Sequence, residues 1–236
     1  MVISKDMIIN TSELMDIILA DNPTYKSSSL YNKINELEKN GVITRIGKSK
    51  YIYKRMSCFS YELESHTANK VLKHIKSNYS SDFEFVIYEI NVVLNQFLNH
   101  LIVGTTIVLE APKMFLEHIF NSLKENGFKN VLINPIEEDL YRYSGENTIV
   151  LHPLISKAPI DKKEKKTTIE KLTVDIICDP LFHCFYEGAE IKNMVDEILS
   201  NYRVKYDSLK NYAKRRHAYE KLMKCVPENM MELFDD

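Results

Sequence analysis

The sequence predicts a mixed α+β, or α/β, protein: a small N-terminal winged helix-turn-helix, then a larger mixed-sheet α/β domain that ends in helices. Three observations predict it. Two short amphipathic segments precede two alternating runs around a glycine-bearing turn, all within residues 1–56. From about residue 63, strand-like apolar runs alternate with helix-like ones, and three helical segments close the chain. A length of 236 residues suits two domains, one of them small. The composition changes after Lys54-Arg55, so the domains are expected at 1–56 and 57–236.

Residues 11–20 (TSELMDIILA) read as a helix with Leu14, Ile17 and Ile18 on one face, capped by Thr11 or Ser12 and stopped by Asp21-Asn22-Pro23. The run Ser27-Ser28-Ser29 offers a cap for a second helix, about Ser28 to Asn40, in which Leu30, Ile34 and Leu37 recur at helical spacing. Asn40-Gly41 stops it. Its other face carries Ser29, Tyr31, Asn32, Lys33, Asn35 and Glu36, types that reach base edges and phosphates. In GVITRIGKSKYIYK, Val42, Ile43, Arg45 and Ile46 read as a strand, Gly47 to Lys50 as a turn, and Tyr51-Ile52-Tyr53 as the returning strand. Helix, helix and a hairpin tipped with Lys48 and Lys50 is the layout in which the second helix enters the major groove and the wing lies on the phosphate backbone.

Beyond the connector Ser57–Glu62, the order is helix (63–78), strand (FEFVIYEI), helix (INVVLNQFLNH), strand (TTIVLE), helix (APKMFLEHIFNSLKENG), then strands at NVLINP and NTIVLH. Residues 156–168, with Lys162, Lys163, Lys165 and Lys166 around Glu164, are expected to be a solvated loop. Helices follow at about Ile169–Cys178, Ala189–Asn201 and Tyr206–Lys224, and the acidic tail PENMMELFDD is expected to be loose.

Net charge is −2, but residues 27–55 hold seven basic side chains (Lys33, Lys39, Arg45, Lys48, Lys50, Lys54, Arg55) against Glu36 and Glu38. That local excess of five on an otherwise acidic chain marks a polyanion-binding surface. No apolar run approaches the roughly 18 residues a membrane span needs, and MVISKDMIIN lacks a signal peptide's basic start and apolar core, so a cytoplasmic protein is expected.

Catalytic motifs are missing. The six glycines are scattered, so no loop cradles phosphates, and GxSxG and HExxH do not occur. Cys178, His183 and Cys184 in CDPLFHC invite a zinc reading but lack a second ligand pair; buried thiols are expected and no metal or cofactor. A nuclease would need Asp82, Glu84, Glu110 and Lys113 around a metal ion. The lysine follows Glu110 by three positions, past Pro112, where a strand reverses its face. The sequence does not point to an enzyme. In DSLKNYAKRRHAYEKLMK, Leu209, Tyr212, Ala213, Arg216 and Tyr219 share a face that is expected to cover the core, with a second polyanion contact as the alternative.

The winged helix with GVITRIGKSKY, the segment YEINVVLNQFLNH...IVLEAPKMFLEHIFNSL, and IEKLTVDIICD...FYEGAEIKNMVDEILSNYRVKYDSLKNYAKRR together resemble AbiEi-type antitoxins of type IV toxin–antitoxin systems, over nearly the whole chain. The resemblance implies an antitoxin and transcriptional autorepressor. Its winged helix would bind operator repeats upstream of its own operon, with Lys33, Arg45, Lys48 and Lys50 as the contacts by position, beside Ser29, Tyr31 and Asn32 of the outward helix face. Its C-terminal domain would counter a nucleotidyltransferase-type toxin. Glu170, Lys171, Asp175, Arg215 and Arg216 match the family's C-terminal pattern and are the candidate partner contacts. The wing departs from that pattern at Lys48-Ser49-Lys50, where many members carry a second glycine, so a wider turn is expected. An orphan winged-helix regulator with a sensing domain is the alternative reading, and the nuclease a more remote one.

Overall fold

A computed structural model describes residues 8–54, 56–143, 145–186 and 188–234. Arg55, counted in the basic stretch, and the first seven residues, read above for a leader, lie outside the described residues.

The N-terminal module runs β1 (Ile8–Asn10), α1 (Thr11–Asp21), α2 (Ser27–Lys39), β2 (Thr44–Gly47) and β3 (Lys50–Ile52). The strands form an antiparallel sheet in the order β1-β3-β2. The sequence reading missed β1, and with it the true cap of α1. Asn10 Oδ1 accepts from the Glu13 amide (3.0 Å) and Glu13 Oε2 accepts from the Asn10 amide (2.9 Å), a capping box one residue earlier than Thr11 or Ser12. The serine run does not cap α2 either: Lys26 holds the cap position, without a side-chain bond. β2 starts at Thr44 rather than Val42 because the Val42 and Ile43 amides are drawn back to the Leu37 carbonyl (2.9 and 3.5 Å) in the turn that ends α2.

Strand alternation gives this sheet two apolar faces. Ile9 and Tyr51 pack with Leu14, Ile18, Leu30, Ile34 and Ile43 of the helical side. Ile8, Ile46 and Ile52 face the other way and, with Met56, meet Tyr206, Met230 and Leu233 of the chain's end.

The larger part is built on a sheet ordered β4-β5-β7-β6, from β4 (Val86–Glu89), β5 (Thr106–Ala111), β6 (Val131–Ile133) and β7 (Thr148–Pro153). β4 is antiparallel to β5, and β5, β7 and β6 are mutually parallel. On one face Ile87, Ile107, Leu109, Ile149 and Leu151 bury against α3 (His66–Asn78) and α5 (Leu116–Glu125). Val86, Tyr88, Val108 and Val150 belong to the opposite core, which also takes in α7 (Ile169–Cys178). Two short helices, α4 (Ile90–Leu94) and α6 (Glu137–Tyr143), lie in the connections; α6 was not anticipated. Nine of the ten residues of α7 are buried, so its polar side chains have only protein partners to turn to.

Around α7 stand α8 (Pro180–His183), α9 (Glu190–Asn201), α10 (Tyr206–Arg215) and α11 (Tyr219–Cys225). The single helix expected over 206–224 is broken, with His217 at φ +52°. Leu209, Tyr212 and Ala213 do cover the core. Among the described residues no helix is long and apolar enough to cross a membrane.

Two segments expected to be loose are fastened down. Residues 156–168 contain a small hairpin, β8 (Ile160–Asp161) with β9 (Lys166–Thr167), beside the edge strand β4. Lys165 is buried and its ammonium donates to the Ser81 and Phe83 carbonyls (3.1 and 2.8 Å). Lys162 pairs with Glu84, and Lys166 with Glu62 (2.6 Å). Those partners lie some 80 to 100 residues earlier, out of reach of any local charge count. The tail folds as a 3-10 helix, Glu228–Leu233, burying Met230, Leu233 and Phe234, the last edge-on to Tyr206 at 5.3 Å. Phe234→Ala should therefore lower unfolding stability in urea by about 3–5 kcal/mol. A change below about 0.5 kcal/mol would restore the loose tail.

Candidate nucleic-acid interface

Leu30 and Ile34 turn inward from α2, which leaves Tyr31 58% exposed beside exposed Asn32 and Asn35. Ser29 and Lys33 are half-buried, and Lys33 is paired one turn along with Glu36 at 2.9 Å. The predicted outward face is thus present, with hydrogen-bonding groups at the centre and one cation already engaged.

The wing turn is tighter than expected. Lys48 and Ser49 are its two loop residues, and Ser49 takes the left-handed conformation at φ +60° in place of a glycine. Its carbonyl accepts from the Thr11 amide (2.9 Å) and hydroxyl (3.3 Å), which ties the tip to the start of α1.

The register Arg45↔Tyr51↔Ile9 places Arg45 on the helix side of the sheet, its Nε bonded to the Gly47 carbonyl (3.3 Å). Lys50, two positions from Ile52, lies on the opposite side, toward the C-terminal helices. Lys48 is exposed at the tip. The cations that sequence order groups together are therefore split by strand parity. Lys48, Lys50 and Arg45 nevertheless meet again along an open cleft of about 680 Å³, whose far wall includes Lys205 and Lys210. Sequence reasoning missed those two lysines. One local signal existed: Lys205 occupies the cap position of α10 without capping it, where the helix dipole disfavours a cation, as Lys26 does at α2.

The candidate partner residues occupy a different place. Glu170, Lys171 and Asp175 are all buried, so they offer no docking face, and the expectation of a contact surface there is corrected. Glu110 follows Leu109 on β5 and so faces α7. Lys171 Nζ sits 2.6 Å from both Glu110 Oε1 and Asp175 Oδ2. Tyr88 donates to Glu110 (2.9 Å) and Tyr212 to Asp175 (3.1 Å). Arg216 then bridges Asp175 (3.3 Å) and Asp179 (3.0 Å), with His152 3.8 Å from Asp179. Charges alternate along the chain Glu110, Lys171, Asp175, Arg216, Asp179. Arg215 is exposed and bonds to Ser156 (3.2 Å). Glu170 does different work: its Oε1 accepts from the Lys205 amide (2.9 Å), holding the start of α10.

Burial pushes the Asp175 carboxyl up to about 6, although Lys171 and Arg216 pull it down. Burial alone would lower Lys171, but Asp175 and Glu110 more than offset it and hold its ammonium above the ordinary lysine value. Burial acts to raise Asp179, yet His152 and Arg216 leave it below the ordinary carboxylate value. Burial also raises the Tyr88 and Tyr212 phenols, which stay protonated as donors.

The nuclease constellation does not assemble: Asp82, Glu84 and Lys113 are exposed, Glu84 pairs with Lys162, and the lysine beside Glu110 is Lys171. Among the described residues no three His, Cys, Asp or Glu side chains are placed to hold a metal ion, and the cysteines are free thiols.

The network is a structural element with a measurable signature. Lys171→Met leaves two buried carboxylates short of a partner and should destabilise by about 3–5 kcal/mol at pH 7. With Lys171 gone, only Arg216 is left to oppose the burial that raises Asp175, so that carboxyl takes up its proton more readily and the variant's deficit should shrink as pH falls toward 5. In the unaltered protein the Asp175 carboxyl is raised from 3.8 to about 6. Its contribution to stability is then full below about pH 4 and lost as pH rises through about 6. Urea titrations at several pH values read both effects.

No curated protein matches the chain. Residues 29–232 match a family of unknown function, DUF6577, a span that takes in most of α2, the β2–β3 hairpin and the larger part of the chain into the 3-10 helix. The chain belongs to the DUF6577 family.

Proposed function

We propose that this protein binds duplex DNA through α2 and the wing, and acts as a transcriptional regulator of its own operon. The observation that carries the reading is the arrangement of β1-β3-β2 behind α1 and α2, which turns Tyr31, Asn32 and Asn35 outward and sets Lys48 at a hairpin tip. Asparagine pairs bidentately with adenine, and lysine meets phosphate as a point charge. The division of labour follows: α2 reads bases and the wing supplies sequence-independent attraction. The antitoxin role, countering a nucleotidyltransferase-type toxin from a cytoplasmic location, rests on the family resemblance and is proposed with it.

Fluorescence anisotropy on the duplex upstream of the gene tests the first part. Affinity should fall steeply with salt. Lys48→Ala should weaken specific and scrambled duplexes alike and lower the salt slope by about one, whereas Asn32→Ala should cost about 1–3 kcal/mol on the specific duplex only. Unchanged binding by both variants would sink the interface. Co-expression with an adjacent nucleotidyltransferase-like reading frame tests the second part: growth should be restored by this chain, and continued arrest leaves a regulator without an antitoxin role.

A further inference from the structure

We propose that the cleft between the wing and α10 is a second binding site for the phosphodiester backbone, so that the larger domain, through Lys205, touches the same duplex as the wing. This rests on the DNA-binding reading and extends it to a part of the chain outside the winged helix.

The first ground is charge. Arg45, Lys48 and Lys50 on one wall and Lys205 and Lys210 on the other bring five basic side chains to one cleft, in which Lys48 and Lys205 are exposed and Lys210 is buried with Asp207 3.9 Å away. The whole chain carries a net charge of −2, so this concentration runs against the protein's own balance. Crowded cations raise the local potential, and a polyanion that enters relieves it.

The second ground is construction. Lys205 sits at a helix start, where the dipole makes a cation unfavourable and where Ser, Thr, Asp or Asn would add about 1 kcal/mol. The fold nevertheless fixes this position: buried Glu170 accepts the Lys205 amide at 2.9 Å. The backbone is held from within while the exposed side chain goes to the cleft. The opposite wall is equally fixed, because Ile46 packs with Tyr206 and Leu233 beneath the cleft floor.

The third ground is chemical type. The cations are mostly lysines, compact charges with no acceptor, which suit phosphate oxygens and carry no base-reading information. The cleft is continuous with the wing tip, since Lys48 belongs to both. A duplex lying on Lys48 has its backbone at the cleft mouth.

The test uses the full chain and the upstream duplex, with affinity measured across about 50–200 mM salt. Lys205→Ala should lower the salt slope by about one, weaken specific and scrambled duplexes equally, and leave the melting temperature unchanged. Lys48→Ala/Lys205→Ala should lower the slope by about two. Lys205→Ala binding with the unaltered slope, while Lys48→Ala loses its share, overturns the second site and leaves the wing intact. An unaltered protein that binds no duplex at any salt removes the DNA-binding reading itself, and this site with it. Inorganic pyrophosphate separates a free anion from the backbone. A Lys205-dependent rise in melting temperature with pyrophosphate, combined with an unaltered slope on DNA, would make the cleft a small-anion site and overturn the proposal.

Discussion

Both faces of the β1-β3-β2 sheet carry apolar contacts, and the geometry of the candidate interface depends on that. A three-stranded sheet in a small module ordinarily packs one face on its helices and wets the other. Here Ile9 and Tyr51 fill the helical side, while Ile8, Ile46 and Ile52 are covered by Tyr206, Met230 and Leu233. Chain segments that meet through polar surfaces move against one another by default, but an apolar contact of this kind opposes it. At the boundary read at residue 56, Met56 itself is buried in this contact. The acidic tail, which composition marks as loose, is what closes the contact, through Phe234 against Tyr206.

The same residue types serve two ends, and burial decides which. Glu170 and Lys171 are neighbours on α7, and both are inside. Lys171 is enclosed by Glu110 and Asp175 at 2.6 Å and cannot offer its charge to anything else. Glu170 spends its carboxylate on one backbone amide at the foot of α10. A buried charge without partners costs several kcal/mol, so such residues persist only where every partner is supplied. Here the partners come from β4 (Tyr88), β5 (Glu110), α10 (Tyr212) and the residue after it (Arg216). Glu170, Lys171 and Asp175 are thus explained by the sheet and the C-terminal helices being joined through one helix, without appeal to a partner protein.

Much of the fold was legible because periodicity is local. Leu30 and Ile34 fix the inner face of α2, Ile169–Cys178 was bounded to the residue, and the alternating order of strands and helices beyond residue 80 stands. What failed was nonlocal. β1 is three residues long and becomes a strand only by pairing with β3, forty-odd positions away. Lys162, Lys165 and Lys166 read as solvated because their partners Glu62, Ser81, Phe83 and Glu84 are distant in sequence. For the interface, Tyr31 and Asn32 were visible from helix phase alone. The parting of Arg45 from Lys50 was not, since strand residues five apart across a turn need a known register before their faces can be assigned. Lys205 and Lys210 could not be placed beside the wing without the tertiary contact.

That parting bears on how charge should be counted in a protein of this kind. Summing residues 27–55 gives an excess of five, as though one surface displayed it. In the folded chain Lys33 is matched by Glu36 at 2.9 Å, Arg45 leans over the helical side, and Lys50 lies beneath the sheet. Any polyanion would meet a smaller local excess than the sum implies if the N-terminal module stood alone. Docking of the sheet's second face on α10 changes the account, because it brings Lys205 and Lys210 to the side on which Lys50 lies. The apolar contact and the cationic cleft are thus one construction. Ile46 and Ile52 set the wing against Tyr206, and the lysines on either side of that seam acquire a common field. A hairpin tethered loosely would have to order itself against the larger domain on binding any ligand, at a cost in free energy; in a docked one that ordering is already complete.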